Sequence, residues 1–214
     1  MDRIFGIVEG FYRRPYTFDQ RLDLIDFLSA LGLNTYIYGP KADPYHRKHW
    51  RKPYPRKKLA EFEELNEISK KRNIKFVYAL SPVYRPGLSD VIEKITTLSA
   101  IGIRNFSIFF DDIRVRLNKA TAERQLRIAN GLYEHLSHEF GKPFLSFCPT
   151  QYRGFKQTTY IEHIAANLHP QIDIFWTGRR VVSPEITEQD VDRVTFLLRR
   201  PVLIWDNIFA NDYI

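Results

Sequence analysis

One cysteine, Cys148, stands alone among 214 residues, so no intrachain disulfide can form, and neither Cys-x-x-Cys nor a Cys/His cluster of zinc type is present. A structural metal is not expected, and no cofactor is implied. His46-x-x-His49 and His135-x-x-His138 have spacings a metal could use, but neither brings a third ligand with it. No apolar run approaches the ~20 residues that a membrane span needs, and Met1-Asp2-Arg3 leads straight into a strand-like segment without a signal-peptide core. The expectation is a cytoplasmic chain with no membrane partner. No Gly-x-Gly-x-x-Gly follows the first apolar run, which argues against a dinucleotide-binding doubly wound sheet. Acid is absent from residues 44–60, where Arg47, Lys48, Arg51, Lys52, Arg56, Lys57 and Lys58 interleave with Tyr45, Trp50 and Tyr54. Such a mixture can bind single-stranded nucleic acid, but charge runs are more often solvated, so nucleic acid is the weaker reading of this segment.

What is present is a chain that is 44% hydrophobic and long enough for one large domain, residues 1–214. Seven short apolar runs recur at nearly constant spacing: Ile4–Val8, Thr35–Tyr38, Phe76–Leu80, Phe106–Phe110, Phe144–Phe147, Ile174–Trp176 and Val202–Trp205. Each is continuously apolar, as strands buried on both faces of a parallel sheet are. Between them the segments Phe18–Leu31, Leu59–Lys71, Asp90–Ile101, Ala120–Phe140, Tyr160–Leu168 and Glu188–Arg199 have helical periodicity, with Leu22, Ile25 and Leu28 as the apolar face of the first. Asp19 and Thr187 are N-terminal signals, and Gly32, Gly102 and Gly141 are stops. Seven βα repeats predict an α/β chain of the (β/α)8 TIM-barrel class, truncated after the seventh strand, because a full barrel needs about 250 residues. A partner or a further C-terminal segment is then expected to complete the barrel.

Barrel chemistry sits at the carboxyl ends of the strands, and the residues found there are polar or aromatic. They run Glu9-Gly10-Phe11-Tyr12, Gly39-Pro40-Lys41, Ser81-Pro82, Asp111-Asp112, Cys148-Pro149-Thr150-Gln151-Tyr152, Thr177-Gly178 and Asp206-Asn207. The pair Asp111-Asp112 closes the apolar run Asn105-Phe106-Ser107-Ile108-Phe109-Phe110. Carboxylates lose a large hydration energy on burial, and two held close together repel, which can leave one as an acid and the other as an anion at neutral pH. Turn formation and metal binding are the competing readings of the pair.

These segments resemble the family-84 glycoside hydrolases, the β-N-acetylglucosaminidases. The resemblance rests on Gly6-Ile-Val-Glu-Gly-Phe-Tyr12 with Arg14-Pro15, Tyr38-Gly-Pro-Lys41 with Asp43-Pro-Tyr-His-Arg47, Phe109-Phe-Asp-Asp-Ile113, Phe147-Cys-Pro-Thr150 with Tyr152, Trp176-Thr-Gly178, and Trp205-Asp-Asn207 through Asn211-Asp-Tyr213. It implies a retaining exo-β-N-acetylglucosaminidase in which the sugar's own acetamido oxygen attacks the anomeric carbon and forms an oxazoline. On that basis Asp111 would orient the acetamido N–H, and Asp112 would be the general acid and then the base. Tyr152 and Asn207 would position the acetamido group, Gly10, Lys41 and Asp212 would bind hydroxyls, and Phe11, Tyr12 and Trp205 would line the pocket. The implied partner is a β-linked N-acetylglucosamine glycan or glycoprotein. Departures from the family pattern are Arg13, Tyr16, Ala42, the segment Val83-Tyr84-Arg85-Pro86-Gly87 and Arg179. Two alternatives stay open: a non-catalytic N-acetylglucosamine-binding module, and a glycosidase directed at hyaluronan or another polyanion.

Overall fold

The structure, a computed structural model, describes residues 3–208 and 210. Seven parallel strands alternate with six helices among these residues: β1(Gly6–Glu9), α1(Phe18–Ala30), β2(Thr35–Tyr38), α2(Arg56–Lys71), β3(Lys75–Leu80), α3(Leu88–Ser99), β4(Asn105–Phe109), α4(Lys119–Phe140), β5(Phe144–Cys148), α5(Thr159–Asn167), β6(Asp173–Trp176), α6(Glu188–Leu198) and β7(Leu203–Ile204). Strand order follows the chain from β1 to β7, which is the α/β topology of the (β/α)8 barrel class. No helix among the described residues is long and apolar enough to cross a membrane.

The chain forms two compact units. The first holds the described residues through Pro82 together with Ser89–Ser107. There β1 pairs with β2 from Gly6↔Thr35 to Glu9↔Tyr38, and β2 pairs with β3 from Thr35↔Lys75 to Tyr38↔Tyr78. Every residue of β2 is buried, and β3 is buried except at Lys75, so both faces are covered as the apolar runs require. Helix α1 begins at Phe18 as expected, but its N-cap is Thr17 and not Asp19: the Thr17 hydroxyl accepts from Gln20 N and the Gln20 side chain accepts from Thr17 N, a capping box. Its inner face is Arg21, Ile25 and Leu28, and Leu22 is only half-buried. Helix α2 begins three residues before the expected Leu59, with Pro55 at its N-cap and no side-chain cap.

The second unit holds Val83–Leu88 and Ile108–Ala210. The end of β4 lies here, where Phe110 N donates to Cys148 O at 2.8 Å. Strand β5 pairs with β6, and β6 pairs with β7 through Phe175↔Leu203 and Trp176↔Ile204. Helix α4 buries Ala122, Leu126, Ala129, Leu132, Tyr133 and Leu136, a run spaced by three and four. Each large aliphatic removed from water there contributes about 1.5–3 kcal/mol. Thr187 caps α6 as expected, accepting from Asp190 N, while Asp190 accepts from Thr187 N.

Candidate active site

Strand β4 ends at Phe109, and the two residues that matter follow in a turn. Asp111 is buried at 5% exposure, whereas Asp112 is exposed and adopts φ 54, a left-handed conformation that few non-glycine residues tolerate and that aspartate accepts better than most. That turn releases the adjacent carboxylates from the strand rule that successive side chains point to opposite faces.

Tyr152 is the partner the structure brings to the pair. Its hydroxyl donates to Asp112 Oδ1 at 2.7 Å, and burial first, then this bond and the carboxylate's charge, push the phenol up well beyond its ordinary range. Tyr152 therefore acts as a neutral donor at any physiological pH. Its backbone is tied to the loop after β6: Thr177 N donates to Tyr152 O at 2.9 Å, Gly154 N donates to Gly178 O at 2.8 Å, and Trp176 Nε1 donates to Gly154 O at 3.1 Å. Gly178 has φ 97, and a Cβ there would lie 2.2 Å from Ser183 Oγ, so only glycine fits.

The remaining candidates of this unit sit after β7. Trp205 N donates to Trp176 O at 2.9 Å, and its half-buried indole packs on Phe109 at 5.1 Å and Phe175 at 5.5 Å between ring centres. Asn207 Nδ2 donates to Val181 O at 2.9 Å, so its amide fastens the 178–183 loop. Asp212 lies outside the described residues.

In the first unit, the strand-end loops after β1 and β2 stay paired beyond the sheet. Gly39 N donates to Glu9 O at 3.2 Å and Lys41 N to Phe11 O at 3.0 Å. Lys41 and Phe11 are each 8% exposed, Gly10 is half-buried, and Tyr12 is exposed. Beneath this loop lies a cluster that sequence reasoning missed. Glu9, fully buried, accepts from Arg21 Nε at 2.9 Å and Arg21 Nη2 at 2.8 Å, from the Tyr36 hydroxyl, and from Tyr16 N at 3.0 Å. The signal was available as an arginine at the helical spacing of Ile25 and Leu28, a cation on a face that should be apolar.

Residues 44–60 do not form the stacking platform that their composition allows. Trp50 and Tyr54 are buried, at 1% and 5% exposure, and Tyr54 donates to Asp43 Oδ2 at 2.7 Å. Lys48, Lys52, Arg56 and Lys57 are exposed, which is the solvated-face arrangement. His46 is buried, with Nδ1 2.7 Å from Ala79 O, and burial holds it well below the usual histidine range, so it stays neutral. No group of three or more His, Cys, Asp or Glu side chains that could hold a metal occurs among the described residues.

A (β/α)8-class chain with adjacent carboxylates at a strand's carboxyl end, one of them held by a tyrosine, has the layout of a glycoside hydrolase. The comparisons with known proteins agree. Residues 5–214 match the beta-N-acetylglucosaminidase family. Protein O-GlcNAcase of Rattus norvegicus and that of Mus musculus are each 37% identical over 229 residues, covering 97% of this chain and 24% of the relative. An O-GlcNAc hydrolase variant from Thermobaculum terrenum superposes with a TM-score of 0.91 at 36% identity, covering 98% of this chain and 48% of that one. The chain thus spans about a quarter of the length of these curated relatives. It belongs to the β-N-acetylglucosaminidase family, family 84 of the glycoside hydrolases.

Proposed function

We propose that residues 1–214 act as one catalytic domain, a retaining exo-β-N-acetylglucosaminidase that removes O-linked N-acetylglucosamine from glycoproteins. The observation that carries this reading is the pair after β4, a buried Asp111 beside an exposed, left-handed Asp112 that Tyr152 holds at 2.7 Å. The relatives named O-GlcNAcase support the substrate class. In the first step the acetamido oxygen attacks the anomeric carbon, the glycosidic bond breaks, and Asp112 gives its proton to the departing oxygen. Asp111 accepts the acetamido N–H and offsets the positive charge that develops as the oxazoline forms. In the second step Asp112 takes a proton from water as that water attacks the anomeric carbon and opens the oxazoline. Gly10, Phe11, Tyr12, Lys41, Asn207 and Asp212 bind sugar in this scheme, and Trp205 forms an apolar wall. Cytoplasmic placement belongs to the same reading and is checked by cell fractionation.

Aryl β-N-acetylglucosaminides test it. Asp112→Asn should lower kcat by about 10²–10⁴ on a phenyl leaving group, which must be protonated, and far less on dinitrophenyl, which departs unaided. Asp111→Asn should slow both. Equal losses for the two leaving groups in Asp112→Asn would remove the acid role, and binding of N-acetylglucosamine without any turnover would turn the chain into a sugar-binding module.

A further inference from the structure

Behind the Asp112–Tyr152 bond lies a closed ring of hydrogen bonds made by three neutral side chains from three elements. Thr150 N donates to the Tyr160 hydroxyl at 3.0 Å, and that hydroxyl donates to Gln125 Oε1. Gln125 Nε2 donates to Thr150 Oγ1 at 2.7 Å, which closes the ring. The Thr150 hydroxyl then spends its own proton outside the ring, on Phe110 O at 3.0 Å. Gln125 comes from α4, Tyr160 from α5, and Thr150 from the loop after β5. Gln125 is 3% exposed and Tyr160 is fully buried, while Thr150 is half-buried, so water does not substitute easily for the glutamine or the tyrosine.

The placement of its two contacts with the backbone gives the ring its meaning. Phe110 stands two residues before Asp112, and Thr150 stands two residues before Tyr152. One hydroxyl therefore joins the backbone stems of both residues in the Tyr152–Asp112 bond. A ring of this kind has a single donor and acceptor assignment. The Thr150 hydroxyl has one proton, and Phe110 O can only accept, so Thr150 must accept from Gln125. Gln125 then presents its oxygen to Tyr160, and the tyrosine oxygen is left to accept from Thr150 N. With each direction fixed by the next, the ring resists rotation of any one side chain, and the stems cannot drift apart without breaking a buried bond.

We propose that Thr150, Gln125 and Tyr160 are positioning residues for general-acid catalysis: they hold Asp112 in register with the departing glycosidic oxygen by locking the Phe110 and Thr150 backbones together. The role rests on the acid function proposed for Asp112. It predicts a defect in proton delivery, and not in sugar binding, because the ring touches neither a sugar-binding candidate nor a carboxylate directly.

Thr150→Val keeps the shape of the side chain and removes the hydroxyl, while Thr150→Ser keeps the hydroxyl. On the phenyl glycoside Thr150→Val should lose about 10–100-fold in kcat, the scale of a small misplacement of a catalytic group, with KM within about twofold of the parent. On the dinitrophenyl glycoside its loss should stay under about threefold, and Thr150→Ser should recover most of the phenyl activity. The ratio of the two kcat values is the decisive readout, because both substrates report on the same folded fraction and partial unfolding cancels. A ratio in Thr150→Val equal to that of the parent overturns the positioning role, whatever the absolute losses. If the parent chain itself turns over neither substrate, the hydrolase reading fails and this role falls with it. A parent that is active while Thr150→Val keeps the parental ratio sinks the ring alone.

Discussion

The loop after β1 and the turn after β4 are fastened by different chemistry. Under the first, Glu9 is fully buried and meets the Arg21 guanidinium through two bonds, the Tyr36 hydroxyl and Tyr16 N. Behind the second, Gln125, Thr150 and Tyr160 form a ring without a formal charge. A buried ion pair depends on both partners, because either one alone is an uncompensated charge in a poor solvent. A neutral ring fails more gently, by the cost of an amide or hydroxyl left unmet. Two partners of Glu9 are near in sequence, Tyr16 and Arg21 within 12 residues, and the third, Tyr36 on β2, is 27 residues away. The ring gathers its members from across 35 residues. Both anchors thus join segments that only the tertiary fold brings near, and what separates them is the formal charge at the centre of the first.

Arg21→Ala breaks the comparison hardest. It leaves the Glu9 carboxylate buried with only Tyr36 and Tyr16 N as donors, and urea unfolding should show a loss of about 3–5 kcal/mol. Glu9→Leu combined with Arg21→Met should recover at least half of that, because the desolvated charges are gone together. A single-variant loss below ~1 kcal/mol would mean that the cluster is hydrated and the contrast false. Tyr160→Phe comes next. It deprives Thr150 N of an acceptor and Gln125 Oε1 of a donor, for an expected loss of about 1–3 kcal/mol in the same measurement. If Tyr160→Phe proves as costly as Arg21→Ala, charge is not what separates the two anchors.

The anchors were also the part of the molecule hardest to read from sequence. The seven strands were legible because parallel strands buried on both faces leave unbroken apolar runs; the largest disagreement is β1, expected over Ile4–Val8 and observed as Gly6–Glu9, while β7, expected over Val202–Trp205, is observed as Leu203–Ile204. Periodicity found α1 but put Leu22 on its inner face, because a search for apolar spacing passes over an arginine neutralised by a glutamate on another element. The polar first turn of α2 was missed because a solvated turn has no apolar period to detect. Trp50 and Tyr54 were readable as a stacking surface only while their burial was unknown. Asp111 and Asp112 stood out as acids at the end of an apolar strand, but the Tyr152 bond to Asp112 spans 40 residues and required the fold. Asn207, a proposed sugar contact, also donates from its amide to Val181 O, a pairing that no local pattern encodes.

Lys94 gives the smallest effect, and it separates a paired buried cation from a solitary one within the same unit. It is 4% exposed, its Nζ donates to Lys52 O at 2.7 Å and lies 4.1 Å from the Tyr54 ring centre, and burial pulls it down to about 8 although Asp43 acts in the opposite direction. In the unfolded chain a lysine titrates near ~10.4. Between these two values the unfolded state binds the extra proton, so stability gains with rising pH across that window, while below about 8 the burial penalty is present in full. The melting temperature of the parent relative to Lys94→Met should therefore climb from pH 8 to pH 10. Arg21 is held protonated by Glu9 even more firmly than a free arginine, so the parent relative to Arg21→Ala should stay level over the same range. Tyr38, Tyr54 and Tyr78 are pushed far above their ordinary values by burial, and the titration of their unfolded forms near ~10 is common to parent and variant, so it cancels in each difference. A level Lys94 difference would show that water reaches its ammonium and that only the paired cation is truly desolvated.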